Sequence, residues 1–203
     1  MALNPNLNLL SYRFVRVFIS LSKNLTLKTA LLFLSVFISA NLFGQNVNIP
    51  DANFKAYLVG NTSINTNGDT EIQVSEASAF TGLMNCSFIN ISDLTGIEAF
   101  TAITQLNCWG NELTSLDVSS NTALTVLYCD NNQLTSLDVS SNTALTELRC
   151  DENQLESLDV SINTSLTNLF CDDNQLTYLD VSSCTALTLL WCKVNQLECL
   201  NVK

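Results

Sequence analysis

The stretch that decides the fold is Leu124–Asn142, LTVLYCDNNQLTSLDVSSN, because close copies of it recur every 21 residues. Cysteines mark this period at Cys108, Cys129, Cys150, Cys171 and Cys192. A unit of this length is too short to bury a core by itself, so successive units must pack against one another as the coils of a solenoid.

Within one coil, apolar and outward side chains alternate. Leu127 and Cys129 alternate with Val126, Tyr128 and Asp130, which is the period of two of a strand with one buried face. The next three residues are typical of a turn, and no segment of the coil has the period of a helix. The sequence therefore predicts one short strand per coil, stacked about 4.8 Å apart in a parallel sheet.

The pattern L-x-x-L-x-C-x-x-N-x-L at Leu124–Leu134 resembles the leucine-rich repeat, with cysteine in place of its third leucine. It returns, after a degenerate copy around Met84–Ile91, at Ile103–Leu113, Leu145–Leu155, Leu166–Leu176 and Leu187–Leu197. The resemblance covers roughly Leu83 to the end of the chain. It implies a mostly β, right-handed leucine-rich-repeat solenoid of six coils, whose parallel sheet lines a concave face that commonly binds proteins.

Residues 1–44 have the pattern of a signal peptide. Lys23 and Lys28 precede the apolar run Thr29–Phe43, which is too short to predict a stable membrane span. We expect the mature chain to begin near Gln45 and to be secreted or displayed at the cell surface, with no stable span after signal removal. A retained membrane anchor is the alternative.

Residues 45–82 are predicted to cap the solenoid, which covers residues 83–203. Asp51 is a suitable N-cap for a short amphipathic helix at Ala52–Val59, with Phe54 and Leu58 facing inward. The last coil stops at Lys203 with nothing that resembles a cap. We therefore predict either that the reading frame is truncated or that self-association covers the exposed edge of the last coil.

The cap contains a segment that resembles an EF-hand or dockerin-type calcium loop. The resemblance implies that Glu71 offers its backbone carbonyl and that side-chain oxygens come from Asn65, Asn67, Asp69, Gln73 and Glu76. Thr70 stands where glycine is usual and Asn65 where a carboxylate is usual, so we expect weak calcium binding. The alternative is a loop that keeps this shape without a metal. We predict no other cofactor.

Three ladders of identical residues run along the predicted solenoid. The in-line cysteines do not converge as metal-binding thiolates do, so we interpret them as small packing residues. A line of asparagines is predicted to bond the turn backbones: Asn111, Asn132, Asn153, Asn174 and Asn195. A line of aspartates is predicted to cap backbone amides on the return side, the part of each coil that follows the turn and leads to the next strand: Asp117, Asp138, Asp159 and Asp180.

The residues between the inward leucines and cysteines form the predicted concave face. Its candidate ligand-binding residues are aromatic or charged: Trp109, Tyr128, Asp130, Arg149, Asp151, Phe170, Asp172 and Trp191. Exposed aromatic side chains beside carboxylates are typical of contacts with a protein, and they can also stack on sugar rings. The alternative is that these rings only cover the sheet.

Charge and composition narrow the function. All 19 acidic residues but only four of the eight basic ones lie beyond residue 44, which leaves that part with a net charge of −15. Such a surface repels nucleic acid and anionic membranes. The chain has no histidine and no G-x-S-x-G motif, so catalysis is not expected. We predict an extracellular recognition or adhesion module that binds a protein, with binding of a surface polysaccharide by the same aromatic patch as the alternative.

Overall fold

The structure of the protein, a computed structural model, describes residues 45–202. The predicted signal peptide at residues 1–44 lies outside the described residues, as does Lys203. Within this range no helix is both long and apolar enough to cross a bilayer. The fold is mostly β, with few helices and a solenoid of parallel strands, which confirms the predicted fold class.

The helices are short and precede the regular coils. They are α1 (Ala52–Gly60), α2 (Val74–Ala79) and a 3-10 helix (Ile97–Ala99). The strands are β1 (Gly82–Asn85), β2 (Ile103–Asn107), β3 (Val126–Tyr128), β4 (Glu147–Arg149), β5 (Asn168–Phe170), β6 (Tyr178–Asp180), β7 (Leu189–Trp191) and β8 (Cys199–Asn201).

Six strands form one parallel sheet in the order β1-β2-β3-β4-β5-β7, and β6 pairs with β8 in a second one. Leu127 pairs with Leu148, and Tyr128 pairs with Arg149. Each of these partners lies 21 residues further along the chain. Because the register equals the sequence period, equivalent residues of successive coils stand in straight columns.

The inward columns form one continuous core. Leu124, Leu127, Cys129, Leu134 and Val139 are all 0% exposed, as the alternation predicted. Burying one leucine side chain contributes roughly 2 kcal/mol. Since each coil repeats these positions, the stability of the solenoid grows coil by coil.

The cysteine ladder packs this core. The Sγ–H of Cys129 donates to the carbonyl of Arg149 on the next coil at 3.3 Å. Cys86, Cys108 and Cys150 likewise each donate to a backbone carbonyl of the next coil. Burial raises the pKa of the Cys129 thiol well above 9.0. The buried ladder cysteines, from Cys86 to Cys171, are therefore packing residues with poorly reactive thiols, as predicted.

The predicted asparagine ladder is fully hydrogen-bonded. The Nδ2 group of Asn132 donates to the carbonyls of Cys108, Cys129 and Asp130 at 3.1 Å each. Its Oδ1 atom accepts from the amide of Leu113 at 3.0 Å. One side chain thus pairs buried backbone groups of two coils, which confirms the predicted role of this ladder.

A second column of buried asparagines supports the return side. The Nδ2 group of Asn142 donates to the carbonyls of Val118 and Asn121, both at 3.0 Å. Cys184 takes the equivalent place in the last such coil, where its Sγ–H donates to the carbonyl of Val160 at 3.4 Å. A thiol has one donor where the amide has two, so this coil is held more weakly.

The cap begins with the predicted helix, which ends at Gly60, one residue later than expected. The Asp51 carboxylate accepts from the amides of Asn53 and Phe54, both at 2.9 Å, which confirms it as the N-cap. The Tyr57 hydroxyl accepts from the amide of Asn85 at 3.1 Å. Since Asn85 belongs to the edge strand β1, helix α1 helps to satisfy that edge.

The last coil buries its apolar side chains less completely. Leu190 and Cys192, which occupy inward positions, are only partly buried, whereas their equivalents in earlier coils are at most 1% exposed. Leu200 and Val202 are 41% and 54% exposed. Within residues 45–202, this coil has a packed neighbour on one side.

Candidate recognition surface

The outward side chains of the six-stranded sheet, together with the residue after each ladder cysteine, form a surface that we call the sheet face. Its position follows from the strand period: Leu127 and Cys129 are buried, whereas Tyr128 and Asp130 between and after them are partly exposed. The predicted binding residues lie on this face, in two main columns.

The central column contains Tyr128, Arg149, Phe170 and Trp191, which the strand register places side by side. The guanidinium carbon of Arg149 lies 4.6 Å from the ring centroid of Tyr128 and 4.5 Å from that of Phe170. The rings of Phe170 and Trp191 meet edge to face with centroids 5.2 Å apart. The four side chains form one continuous stack, in which each cation–π contact contributes about 0.5–2 kcal/mol.

Glu147 fixes the orientation of this stack. Its Oε1 atom accepts from the Tyr128 hydroxyl at 3.0 Å and from Nε of Arg149 at 2.9 Å, and it lies 2.8 Å from Nη2 of Arg149. Glu147 was not among the binding residues predicted from the sequence. The strand period could have identified it, because a residue two positions before Arg149 in a strand lies on the same face of the sheet.

The column is only partly open to solvent. Trp191 is 52% exposed and Tyr128 is partly exposed, whereas Phe170 is 8% exposed. The prediction that Phe170 is exposed is wrong, because its ring contacts both Arg149 and Trp191; its part in ligand binding stays a prediction. Phe170 supports the neighbouring side chains.

The second column contains the carboxylates of Asp130, Asp151 and Asp172, which the coils bring together as predicted. Burial and the neighbouring Asp151 raise the pKa of Asp130 to about 6. Burial also raises the pKa of Asp151, with a contribution from Asp172. Asp172 itself accepts a hydrogen bond from the amide of Lys193. Like charges in register thus destabilise the ionised column.

Trp109 does not join the central column. Its ring packs against that of Phe88, with centroids 4.4 Å apart, and the two residues are 41% and 58% exposed. A Cβ atom on Gly110 would lie 2.4 Å from the Phe88 ring, so this contact requires glycine. Phe88 was not among the residues predicted from the sequence, because it stands two positions after Cys86, in the turn, and falls outside the columns that the strand period defines.

The candidate calcium residues are gathered in one loop and hydrogen-bond one another. Oε1 of Glu76 accepts from the amides of Thr66 and Asn67, and Oε2 accepts from that of Gln73. Burial opposes ionisation of Glu76, but these bonds lower its pKa below the usual value. Oδ2 of Asp69 accepts from the side-chain amides of Asn67 and Gln73.

The remaining candidates of this loop have partners too. Oδ1 of Asn65 accepts from the amide of Gly68 at 3.0 Å. The Glu71 carboxylate pairs with Lys55 at 2.7 Å, which leaves its predicted ligand, the backbone carbonyl, unaffected. These contacts fit a loop that is closed without a metal, because a calcium ion would have to displace amide donors from the oxygens it binds. Calcium binding stays a prediction.

Solved structures with a similar fold are leucine-rich-repeat proteins. The functional domain of InlJ from Listeria monocytogenes, which includes a cysteine ladder, is 41% identical over 79% of this chain with a TM-score of 0.71. The internalin InlF of the same organism is 23% identical over 74% of the chain with a TM-score of 0.65, and shows the fold alone. This chain spans 36% and 45% of those two chains.

No protein-family model matches the sequence, and no curated protein matches it. The structural likeness rests instead on coils of 21 residues, a six-stranded parallel sheet and an in-line column of buried cysteines. These features together establish that the chain belongs to the leucine-rich-repeat proteins that carry a cysteine ladder.

Proposed function

We propose that the chain is a non-catalytic extracellular recognition module that binds a protein partner through the sheet face. The observation that carries this proposal is the stack of Tyr128, Arg149, Phe170 and Trp191, which ends in a half-exposed tryptophan. Tyrosine, arginine and tryptophan are the side chains that most often dominate protein binding. Holding them in place before binding reduces the entropy lost on association.

The geometry favours a protein over a polysaccharide as the ligand. A sugar ring stacks on the open, flat face of an aromatic ring. Here Arg149 covers one side of the Tyr128 ring and packs on Phe170. The mixture of cationic, anionic and aromatic groups instead suits the varied side chains of a protein surface.

Secretion or surface display is part of the same proposal. It is supported by the signal-peptide pattern of residues 1–44. The buried state of Cys86, Cys108, Cys129, Cys150 and Cys171 also fits an oxidising environment, because burial protects a free thiol from disulfide exchange.

Binding to arrays of extracellular proteins and of glycans tests the proposal. The variants are Tyr128→Ala and Trp191→Ala, and the control is Tyr178→Ala on β6, outside the six-stranded sheet. Tyr178 and Trp191 are a matched pair, with exposures of 51% and 52%. We expect a selected protein to bind the sheet-face variants at least tenfold more weakly and the control with unchanged affinity.

The outcomes separate the alternatives. Equal affinity of all three variants for the protein partner would refute the placement of the site. Binding of a glycan that depends on Trp191 but not on Tyr178 would favour the polysaccharide alternative. Circular dichroism of each variant checks that the solenoid is intact.

A further inference from the structure

The sheet face already holds one cation between aromatic rings. The guanidinium of Arg149 lies about equally far from the rings of Tyr128 and Phe170, at 4.6 and 4.5 Å. Glu147 neutralises it through contacts of 2.8–3.0 Å that also include the Tyr128 hydroxyl. The column thus contains a working arrangement for a guanidinium: aromatic faces one coil away on either side and a carboxylate at the edge.

Two carboxylates of the same face, Asp130 and Asp151, form no direct ion pair, although Arg149 attracts both. In the part of the chain that the structure describes, the ion pairs are Lys55–Glu71 and Arg149–Glu147. Asp130 and Asp151 are in neither pair, although they stand on successive coils next to the aromatic stack. Their pKa values are raised by burial and by neighbouring carboxylates, so a cation placed beside them would relieve an existing repulsion.

Trp191, the last side chain of the stack within residues 45–202, offers an aromatic contact to the same ligand. Trp191 is 52% exposed, and an indole ring is the side chain that binds cations best. Asp172 stands on the coil before Trp191, and its Oδ1 atom accepts a hydrogen bond from the backbone amide of Lys193. An aromatic ring and a line of carboxylates are therefore within reach of one short ligand segment.

We propose that the sheet face binds a basic polypeptide segment, one that places arginine or lysine side chains against the Asp130–Asp151–Asp172 column and Trp191. This inference rests on the proposed function and names the chemistry of the partner. Charge complementarity selects that partner, because residues 45–203 carry a net charge of −15 and repel an anionic one. A metal ion is a poorer occupant, since no cluster of acidic or cysteine side chains suited to a metal occurs among residues 45–202.

Fluorescence anisotropy with labelled peptides tests the proposal on the full protein. The probe is a twelve-residue peptide of alternating arginine and serine, and the comparison peptides carry lysine or the neutral isostere citrulline instead of arginine. The test variant is the double substitution Asp130→Asn, Asp151→Asn. The control is Asp138→Asn, Asp159→Asn, which removes the same charge from the return side and keeps an oxygen for the amides of Ser140 and Ser161.

We expect the arginine peptide to bind more tightly than the lysine peptide and the citrulline peptide not to bind. The sheet-face double variant and Trp191→Ala should each weaken binding about tenfold, which corresponds to about 1.4 kcal/mol. The return-side variant should stay within twofold of the original protein. Affinity should also fall as salt rises from 50 to 300 mM.

Two results would overturn the inference. If both double variants weaken binding equally, the peptide senses only the net charge of the protein. If the arginine peptide does not bind, the face has no preference for cations. The proposed function is tested separately. If binding of a protein partner depends on Trp191 but not on Asp130 and Asp151, the proposed function stands and the basic-segment inference fails. If binding depends on none of these three residues, both proposals fail.

Discussion

Replacing Asp130 by asparagine should make the protein more stable at neutral pH. The carboxylate is half-buried beside Asp151 and Glu152, with Arg149 as the nearby attractive charge, and its pKa is raised from 3.8 to about 6. Asparagine has nearly the same shape and can accept the same backbone hydrogen bond, but it has no charge to repel. The substitution therefore isolates the electrostatic part of the interaction.

The magnitude follows from the pKa of Asp130. A shift of about two units is worth roughly 3 kcal/mol in full, and solvent screening of a half-exposed group reduces this to about 1 kcal/mol. Because the folded state holds the proton more tightly, the stabilisation by protonation is complete below about pH 4 and is lost as the pH rises through about 6. Asp130→Asn should thus gain about 1 kcal/mol, or about 2–4 °C in Tm, at pH 7.5, and almost nothing at pH 4.

Urea unfolding followed by tryptophan fluorescence at both pH values measures this difference. Asp138→Asn is the matched control, because hydrogen bonds from Ser140 lower the pKa of Asp138 and loss of its charge should bring no gain at pH 7.5. A variant Asp130→Asn that is no more stable than the original protein at pH 7.5 would show that Arg149 already compensates the charge. The repulsion between carboxylates inferred for the sheet face would then be absent.

Three further outcomes test other parts of the structure. Asn132→Ala leaves buried backbone groups unpaired and should lower the free energy of unfolding by about 3 kcal/mol, whereas exposed Gln133→Ala should change it by less than about 0.5 kcal/mol; similar values in urea titrations would contradict the ladder. A thiol reagent followed by peptide mapping should modify exposed Cys199 and leave buried Cys129 untouched in the native protein; rapid labelling of Cys129 would mean that the core is open. Millimolar calcium should raise Tm if the cap loop binds it, and Glu76→Gln should abolish the rise; unchanged Tm and unchanged amide resonances of the loop would end that prediction.

The sequence was sufficient to predict the sheet because a solenoid has few choices of register. Once Leu127 faces inward, its partner one coil later must be Leu148, since a slip of one residue would turn every apolar side chain to solvent. The cap helix was predictable for a local reason, the placement of Asp51 before Phe54 and its apolar neighbours. Both features depend on backbone geometry and polarity, which the residue pattern encodes directly.

The exposure of individual side chains was less predictable. Phe170 and Trp191 occupy equivalent positions on neighbouring coils, but one is 8% and the other 52% exposed. The difference arises because Phe170 contacts side chains of both neighbouring coils, Arg149 and Trp191, whereas Trp191 lies on the last strand of the sheet within residues 45–202. Glu147 holds the long side chain of Arg149 over the Phe170 ring. Rotamers of this kind depend on several side chains at once, so the strand period alone does not determine them.

On the return side, the sequence contains a feature that indicates the second sheet but did not enter the prediction. Strands β6 and β8 begin at Tyr178 and Cys199, and earlier coils have serine at the same position, as at Ser136 and Ser157. Serine favours turns, whereas tyrosine favours an extended backbone that packs its ring along the strand. The two replacements thus coincide with the coils in which the return side pairs as a sheet.

The same repeat produces two aspartate columns that differ in their electrostatics. Because the register of the strands equals the sequence period, each carboxylate lies beside the equivalent carboxylate of the next coil. On the return side, Asp138 is relieved by hydrogen bonds from Ser140, which lower its pKa. On the sheet face, Asp130 has the same spacing but a raised pKa, because it is more buried and no neighbouring hydroxyl or basic side chain bonds its carboxylate. Arg149 offsets this charge only in part. A repulsion therefore remains on the sheet face, and it is this repulsion that the proposed basic segment would relieve.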